Sequence, residues 1–140
     1  LWSVRGEVRS LDAITPAALL ALAGWHGGCL WRGACLGTTS DLPWAFAGPG
    51  SLVSRHPVEL YVALALTLAA WAAARLSFGR PLLRSGLGLA AAGMVRLLTE
   101  PLRLSLTGGP TGWYIAAIAV GLVAALVGAR LLAIRARAVT

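Results

Sequence analysis

Three charged residues interrupt an apolar, Gly/Ala/Leu-rich stretch in the run MVRLLTEPLR at 94–103. Arg96, Glu100 and Arg103 are spaced by four and three, which puts them on one face of a helix. Charges inside a spanning segment are costly and face a cavity or a partner. A guanidinium grips phosphate through a planar two-point fork. The stripe therefore suits an anionic headgroup, with Glu100 holding one arginine in position. The plainer alternative is an Arg–Glu pair that only orients helices, with Arg103 reaching to the interface. Pro101 lacks an N–H and is expected to bend or end the helix at this point.

Other residues with chemistry lie upstream. Arg55, His56 and Pro57 precede a second apolar run, and Glu59 and Tyr61 fall in its first turn. His26, Arg32 and Asp41 lie in a Gly/Pro/Trp-rich segment before them. Imidazole is the side chain suited to general-base work near neutral pH, which nominates His26 or His56. Glu59 has a simpler explanation, because an acidic residue is favourable at a helix N-terminus. Cys29 and Cys35 are six apart, a spacing that permits a disulfide. His26, Cys29 and Cys35 match no standard zinc spacing. A Cys29–His26 nucleophile pair has nothing in the sequence to orient the histidine. Plain apolar packing of both cysteines is the alternative.

The elements that must position these groups are apolar helices. Only 12% of the 140 residues are charged, and 58% are hydrophobic. Soluble domains carry about twice that charged share. Mean hydropathy is +0.77. The expected fold is an all-α integral membrane protein with about four transmembrane or membrane-embedded helices, near 12–25, 58–76, 82–103 and 113–134. Residues 26–56 form an ordered outward loop, and 1–140 is a single membrane domain. Helix 12–25 is short for a hydrocarbon core of about 30 Å unless its flanks extend it. Residues 1–10 read as a connecting loop or as the tail of an earlier element. Trp31, Trp44 and Phe46 suit a water–membrane boundary.

All twelve basic residues are arginine, and the net charge is +7. No basic stripe interleaves with aromatics, which argues against nucleic acid. Arg5 and Arg9, then Arg75, Arg80 and Arg84, then Arg130, Arg135 and Arg137 all fall on one side of a four-helix serpentine. The positive-inside rule makes that side cytoplasmic and turns the 26–56 loop outward. Pairs of small residues four apart, Gly86/Ala90 and Gly121/Ala125 among them, allow helices to approach closely. Helices two and four have too few polar residues for a channel or transporter.

Three segments, GACLGTTSDLPWAF, RHPVELY and GMVRLLTEPLR followed by a Gly/Pro turn, together resemble the prolipoprotein diacylglyceryl transferase family in wording, order and spacing. The resemblance covers roughly residues 24–134 and corresponds to the C-terminal half of a family member. It implies a multi-helix protein of the bacterial inner membrane, with its site open to the outer leaflet. The reaction implied moves diacylglyceryl from phosphatidylglycerol to the lipobox cysteine thiol of a prolipoprotein, without metal or organic cofactor. It also implies a partner in the family's N-terminal half.

Under that resemblance Arg96 and Glu100 match the family's Arg-x-x-x-Glu pair, and Arg103 the arginine that follows. Gly37, Asp41, Pro43 and Trp44 match the loop signature. Arg55, His56, Pro57, Leu60 and Tyr61 match the helix entry. His26 and Cys29 stand where the family has Arg-x-x-Asn, Ala34 where it has Glu, and Trp113 or Tyr114 where it has Gln. Taking the histidines nominated by their own chemistry together with the matched motif residues, the expected roles are catalytic for His26, His56, Arg96 and Glu100, and substrate-binding for Arg55, Arg103, Gly37, Asp41 and Tyr61. Two readings follow. One is an active transferase. The other is a degenerate or split homologue that serves as a lipid-binding or structural membrane subunit.

Overall fold

The first helix, α1 (Trp2–Trp31), is 30 residues long, about 45 Å. It takes in both residues 2–10, expected to be a connecting loop or the tail of an earlier element, and residues 26–31, expected to open the outward loop. The computed structural model describes residues 2–32, 35–76, 81–104 and 109–137, with side chains from residue 10 to residue 130. Ala34 and Arg80 lie outside the described residues, as do residues 105–108 in the Gly/Pro turn expected after Arg103. Among the described residues α1 is followed by α2 (Val58–Arg75), α3 (Leu83–Thr99), a single 3-10 turn (Glu100–Leu102) and α4 (Thr111–Arg137).

Pro16 sits inside α1. Its missing N–H leaves the carbonyl of Asp12 without the usual i→i−4 donor. Arg84 Nη1 reaches that carbonyl at 3.5 Å. Arg84 is buried, and its Nη2 also donates to the carbonyl of Leu76, just past the end of α2. The Asp12 carboxylate completes the arrangement. Its Oδ1 accepts the Ser85 N–H at 2.8 Å. Leu82, at the N-cap of α3, has no polar side chain to satisfy that orphan donor, so Asp12 supplies the cap from another helix. One end of the bundle is therefore locked by Asp12 and Arg84, where α1, α2 and α3 meet.

The α1–α2 interface follows from α2's own pattern. Val58, Val62, Leu66, Ala70 and Ala73 recur every three or four residues and are buried. Val62, Leu66, Ala70 and Ala73 pack with Leu19 and Ala23 of α1 in one core. The α3–α4 interface uses small residues instead. A Cβ on Gly86 would fall under 3.0 Å from Gly121 O and Ala125 N, and one on Gly121 under 3.0 Å from Gly86 O and Ala90 N. The small-residue pairs four apart thus meet each other across one crossing, as backbone-to-backbone packing in lipid requires.

Three helices, through Ser10–Trp31, Val58–Arg75 and Thr111–Arg130, are long and apolar enough to cross a membrane. Leu64, Leu68 and Trp71 of α2 and Val120, Val123 and Leu126 of α4 are exposed, so both helices are apolar on faces that no other helix covers. α3 has 17 residues, about 26 Å, and its expected continuation to 103 is broken. The break is the 3-10 turn around Pro101, and Thr99 Oγ1 folds back onto Val95 O at 2.8 Å.

Between α1 and α2 the chain forms a minimal hairpin that the sequence did not announce. β1 (Phe46–Ala47) pairs antiparallel with β2 (Ser54–Arg55), with Phe46 opposite Arg55.

Candidate functional site

The opposite end of the bundle gathers the charged groups. Glu59 is the third residue from Pro57 into α2, counting Pro57 as the first, and only 3% of its side chain is exposed. Three elements aim at this carboxylate. From the last turns of α1, His26 Nδ1 meets Glu59 Oε2 in a short contact. From just after the 3-10 turn, Arg103 Nη1 lies 3.0 Å from Glu59 Oε1. From α3, Arg96 Nη1 lies 3.9 Å from the same oxygen. An ionised carboxylate only accepts, so His26 donates from Nδ1, and in the neutral ring Nε2 is then the acceptor nitrogen.

Neither guanidinium is bonded in a fork to Glu59. The Nη1 atoms of Arg96 and Arg103 are buried and make no aligned hydrogen bond among the described residues, so their attraction to Glu59 is ionic. The second arm of Arg96 is committed. Its Nη2 donates to Tyr114 Oη at 3.0 Å, and its guanidinium carbon stands 5.4 Å from the Tyr114 ring centre. Of the two candidates for the position after the final turn, Tyr114 reaches the cluster, whereas Trp113 is exposed.

Glu100 does not play the part expected from its spacing. It shares a helix face with Arg96, yet among the described residues the arginines pair with Glu59 instead. Glu100 is buried against Gly109, and its Oε2 makes no hydrogen bond among the described residues. Gly109 adopts φ +66°, and a side chain there would strike the Glu100 carboxylate.

The loop residues divide into two sets. Gly37 is a wedge: its N–H donates to His56 O at 2.8 Å, and the next N–H, of Thr38, donates to Leu102 O at 2.8 Å. The loop is thereby pinned between the start of α2 and the end of the 3-10 turn, so Gly37 acts through its backbone. Arg55 Nη1 donates to Gly37 O at 3.3 Å and supports the same wedge. Trp44 Nε1 donates to Tyr61 Oη at 2.8 Å, and that hydroxyl lies 3.4 Å from His56 Nδ1. His56 and Tyr61 therefore flank the entry of α2 as a second polar group beside the Glu59 cluster. Asp41 is exposed and joins neither set.

Cys29 and Cys35 are joined in a disulfide. It ties the last turn of α1, three residues past His26, to the strand of loop that delivers Gly37. His26 and the wedge are thus linked covalently.

Sequence reasoning missed Glu59, whose position at a helix N-terminus had a sufficient local explanation. It also missed Tyr114 as an arginine partner. No local signal pointed to either role, because every partner lies on another element. Chemically the cluster offers two guanidiniums with spare N–H donors, a carboxylate-oriented imidazole and a second buried carboxylate. No family model, no curated protein and no solved structure matches the chain.

Proposed function

We propose that the chain is a multi-pass membrane protein with a lipid-phosphate site, and that it acts as a phosphatidylglycerol–prolipoprotein diacylglyceryl transferase-like protein. The observation that carries this reading is the convergence of Arg96, Arg103 and His26 on one buried carboxylate, Glu59, at one end of a bundle of apolar helices. Guanidinium donors not yet hydrogen-bonded are suited to the oxygens of a phosphate ester. The motif resemblance supplies the reaction.

In that reaction His26 Nε2 takes the proton of the lipobox cysteine thiol, while Glu59 holds the ring through Nδ1. The thiolate sulfur attacks the terminal glycerol carbon of the diacylglyceryl group. A C–S bond forms as the C–O bond to phosphate breaks, and glycerol phosphate departs with its charge held by Arg96 and Arg103. His56 and Tyr61 flank the entry of α2, and Arg55 supports the Gly37 wedge that pins the loop there. The arginines of the opposite end, Arg75, Arg84 and Arg130 among those with described side chains, support a cytoplasmic assignment for that end and an outward-facing site in a bacterial inner membrane.

One observation favours the second reading, a lipid-binding or structural subunit without turnover. Glu59 already offsets part of the arginines' charge internally, as a purely structural cluster does. The two readings separate in a lipidation assay with the full chain in phosphatidylglycerol vesicles and a lipobox peptide. The transferase reading predicts a thioether product that disappears in Arg96→Ala. Absence of product, with phosphatidylglycerol still bound in an Arg96-dependent way, selects the subunit.

A further inference from the structure

We infer that Glu59 is an internal counter-anion: its carboxylate holds Arg96 and Arg103 until the phosphate group of a ligand displaces it, after which it remains on His26. The inference rests on the lipid-phosphate reading of the same site and concerns its regulation.

Four observations lead to it. A single carboxylate is shared by three side chains from α1, α3 and the segment after the 3-10 turn. Its two oxygens are divided. Oε2 belongs to His26, and Oε1 faces both guanidiniums. The guanidinium contacts are ionic and unaligned, so a phosphate offering forked oxygens forms hydrogen bonds that Glu59 does not. Finally, Glu59 has support that survives the exchange. It lies in the first turn of α2, where the helix N-terminus favours negative charge, and it keeps its bond to His26.

The exchange orders events in the site. Before the ligand arrives, Glu59 is divided between the imidazole and two guanidiniums. Once phosphate takes the guanidiniums, Glu59 serves the imidazole alone. Glu59 is thus a positioning residue for His26 and a competitor of the ligand for the arginines. A merely structural carboxylate has the first property without the second.

The two roles predict opposite effects of one substitution. Glu59→Gln keeps an oxygen that accepts from His26 Nδ1 but removes the competing charge. Binding of the full chain to phosphatidylglycerol vesicles is expected to tighten by about tenfold, the scale of one unit charge removed at several ångströms from a partly solvated anion site. Turnover is expected to fall, because the amide orients the imidazole less firmly than a carboxylate, so KM and kcat fall together. Glu59→Asp, which withdraws the carboxylate from the guanidiniums, is expected to show a smaller tightening, and it decides the matter if Glu59→Gln does not fold. Inorganic phosphate as competitor separates the sources of the ligand: displacement of the vesicles by millimolar phosphate indicates recognition of free phosphate, and its failure indicates the lipid headgroup. Weaker binding in both folded variants, or no change in either, overturns the inference. The transferase reading fails separately, by absence of thioether product in the unsubstituted protein while Glu59→Gln still binds phosphatidylglycerol more tightly.

Discussion

Gly37→Ala tests whether the loop wedge positions the site. A Cβ at residue 37 would fall under 3.0 Å from both the Leu102 carbonyl oxygen and Val58 Cγ2, and 3.3 Å from His56 O. Neither close neighbour yields cheaply. Leu102 O is backbone of the 3-10 turn and already accepts from Thr38, while Val58 is 1% exposed. The loop must withdraw, breaking the Gly37–His56 and Thr38–Leu102 hydrogen bonds, each with a net value of about 1 kcal/mol. Forcing a methyl group into filled space adds about 1–3 kcal/mol. The wedge should therefore lose about 3–5 kcal/mol of local stability. The α1–α2 core around Val62 and Leu66 is untouched, so the bundle itself should persist. Amide hydrogen exchange in detergent, read by mass spectrometry over residues 35–58, checks this: protection at 37, 38 and 56 should collapse while α2 stays protected. Gly28→Ala is the control, since nothing lies within 4 Å of its added Cβ. Unchanged protection in Gly37→Ala would refute the argument.

Other substitutions test the scaffold. Gly121→Val places a branched side chain against Gly86 O and Ala90 N, and should lower the thermal midpoint in detergent by separating α3 from α4. Asp12→Ala removes the cap on Ser85 N and should destabilise the fold by about 1–2 kcal/mol, whereas Asp12→Asn, which retains an acceptor oxygen, should recover most of it. Cys29→Ser opens a loop closed across a sequence separation of six and should reduce stability by about 2 kcal/mol, with the variant no longer responding to reductant in a thermal melt.

The sequence made α2 and α4 legible because their apolar length leaves few alternatives. It understated the length of α1, since the polar, mixed residues 1–10 and the Gly-rich stretch from 26 onward read locally as lying outside the helix. The helix runs through Pro16 because Arg84, far along the chain, reaches the carbonyl that proline leaves bare. The two-residue strands are too short for any alternating pattern to show. At the site, residue type and spacing brought His26, Arg96 and Arg103 forward, and the structure gathers them at one carboxylate. The identity of that carboxylate was not legible. Helical spacing favours Glu100 as the partner of Arg96, but spacing decides only which face two residues share. Arg96 instead extends toward α4, where Tyr114 takes one of its nitrogens, and Glu59 comes in from α2. Those are tertiary choices among elements, and no local pattern encodes them.

The central claim is that Arg96 and Arg103 bind the phosphate of a lipid. Its most direct test is the binding of the full chain to vesicles of phosphatidylglycerol and of phosphatidylcholine, with Arg96→Ala and Arg103→Ala measured in parallel. The account predicts a preference for phosphatidylglycerol that each substitution weakens by about tenfold or more, the value of one charge-assisted contact. Equal binding to both lipids, unaffected by either substitution in a folded protein, would contradict it and leave Glu59 and its partners as a structural cluster.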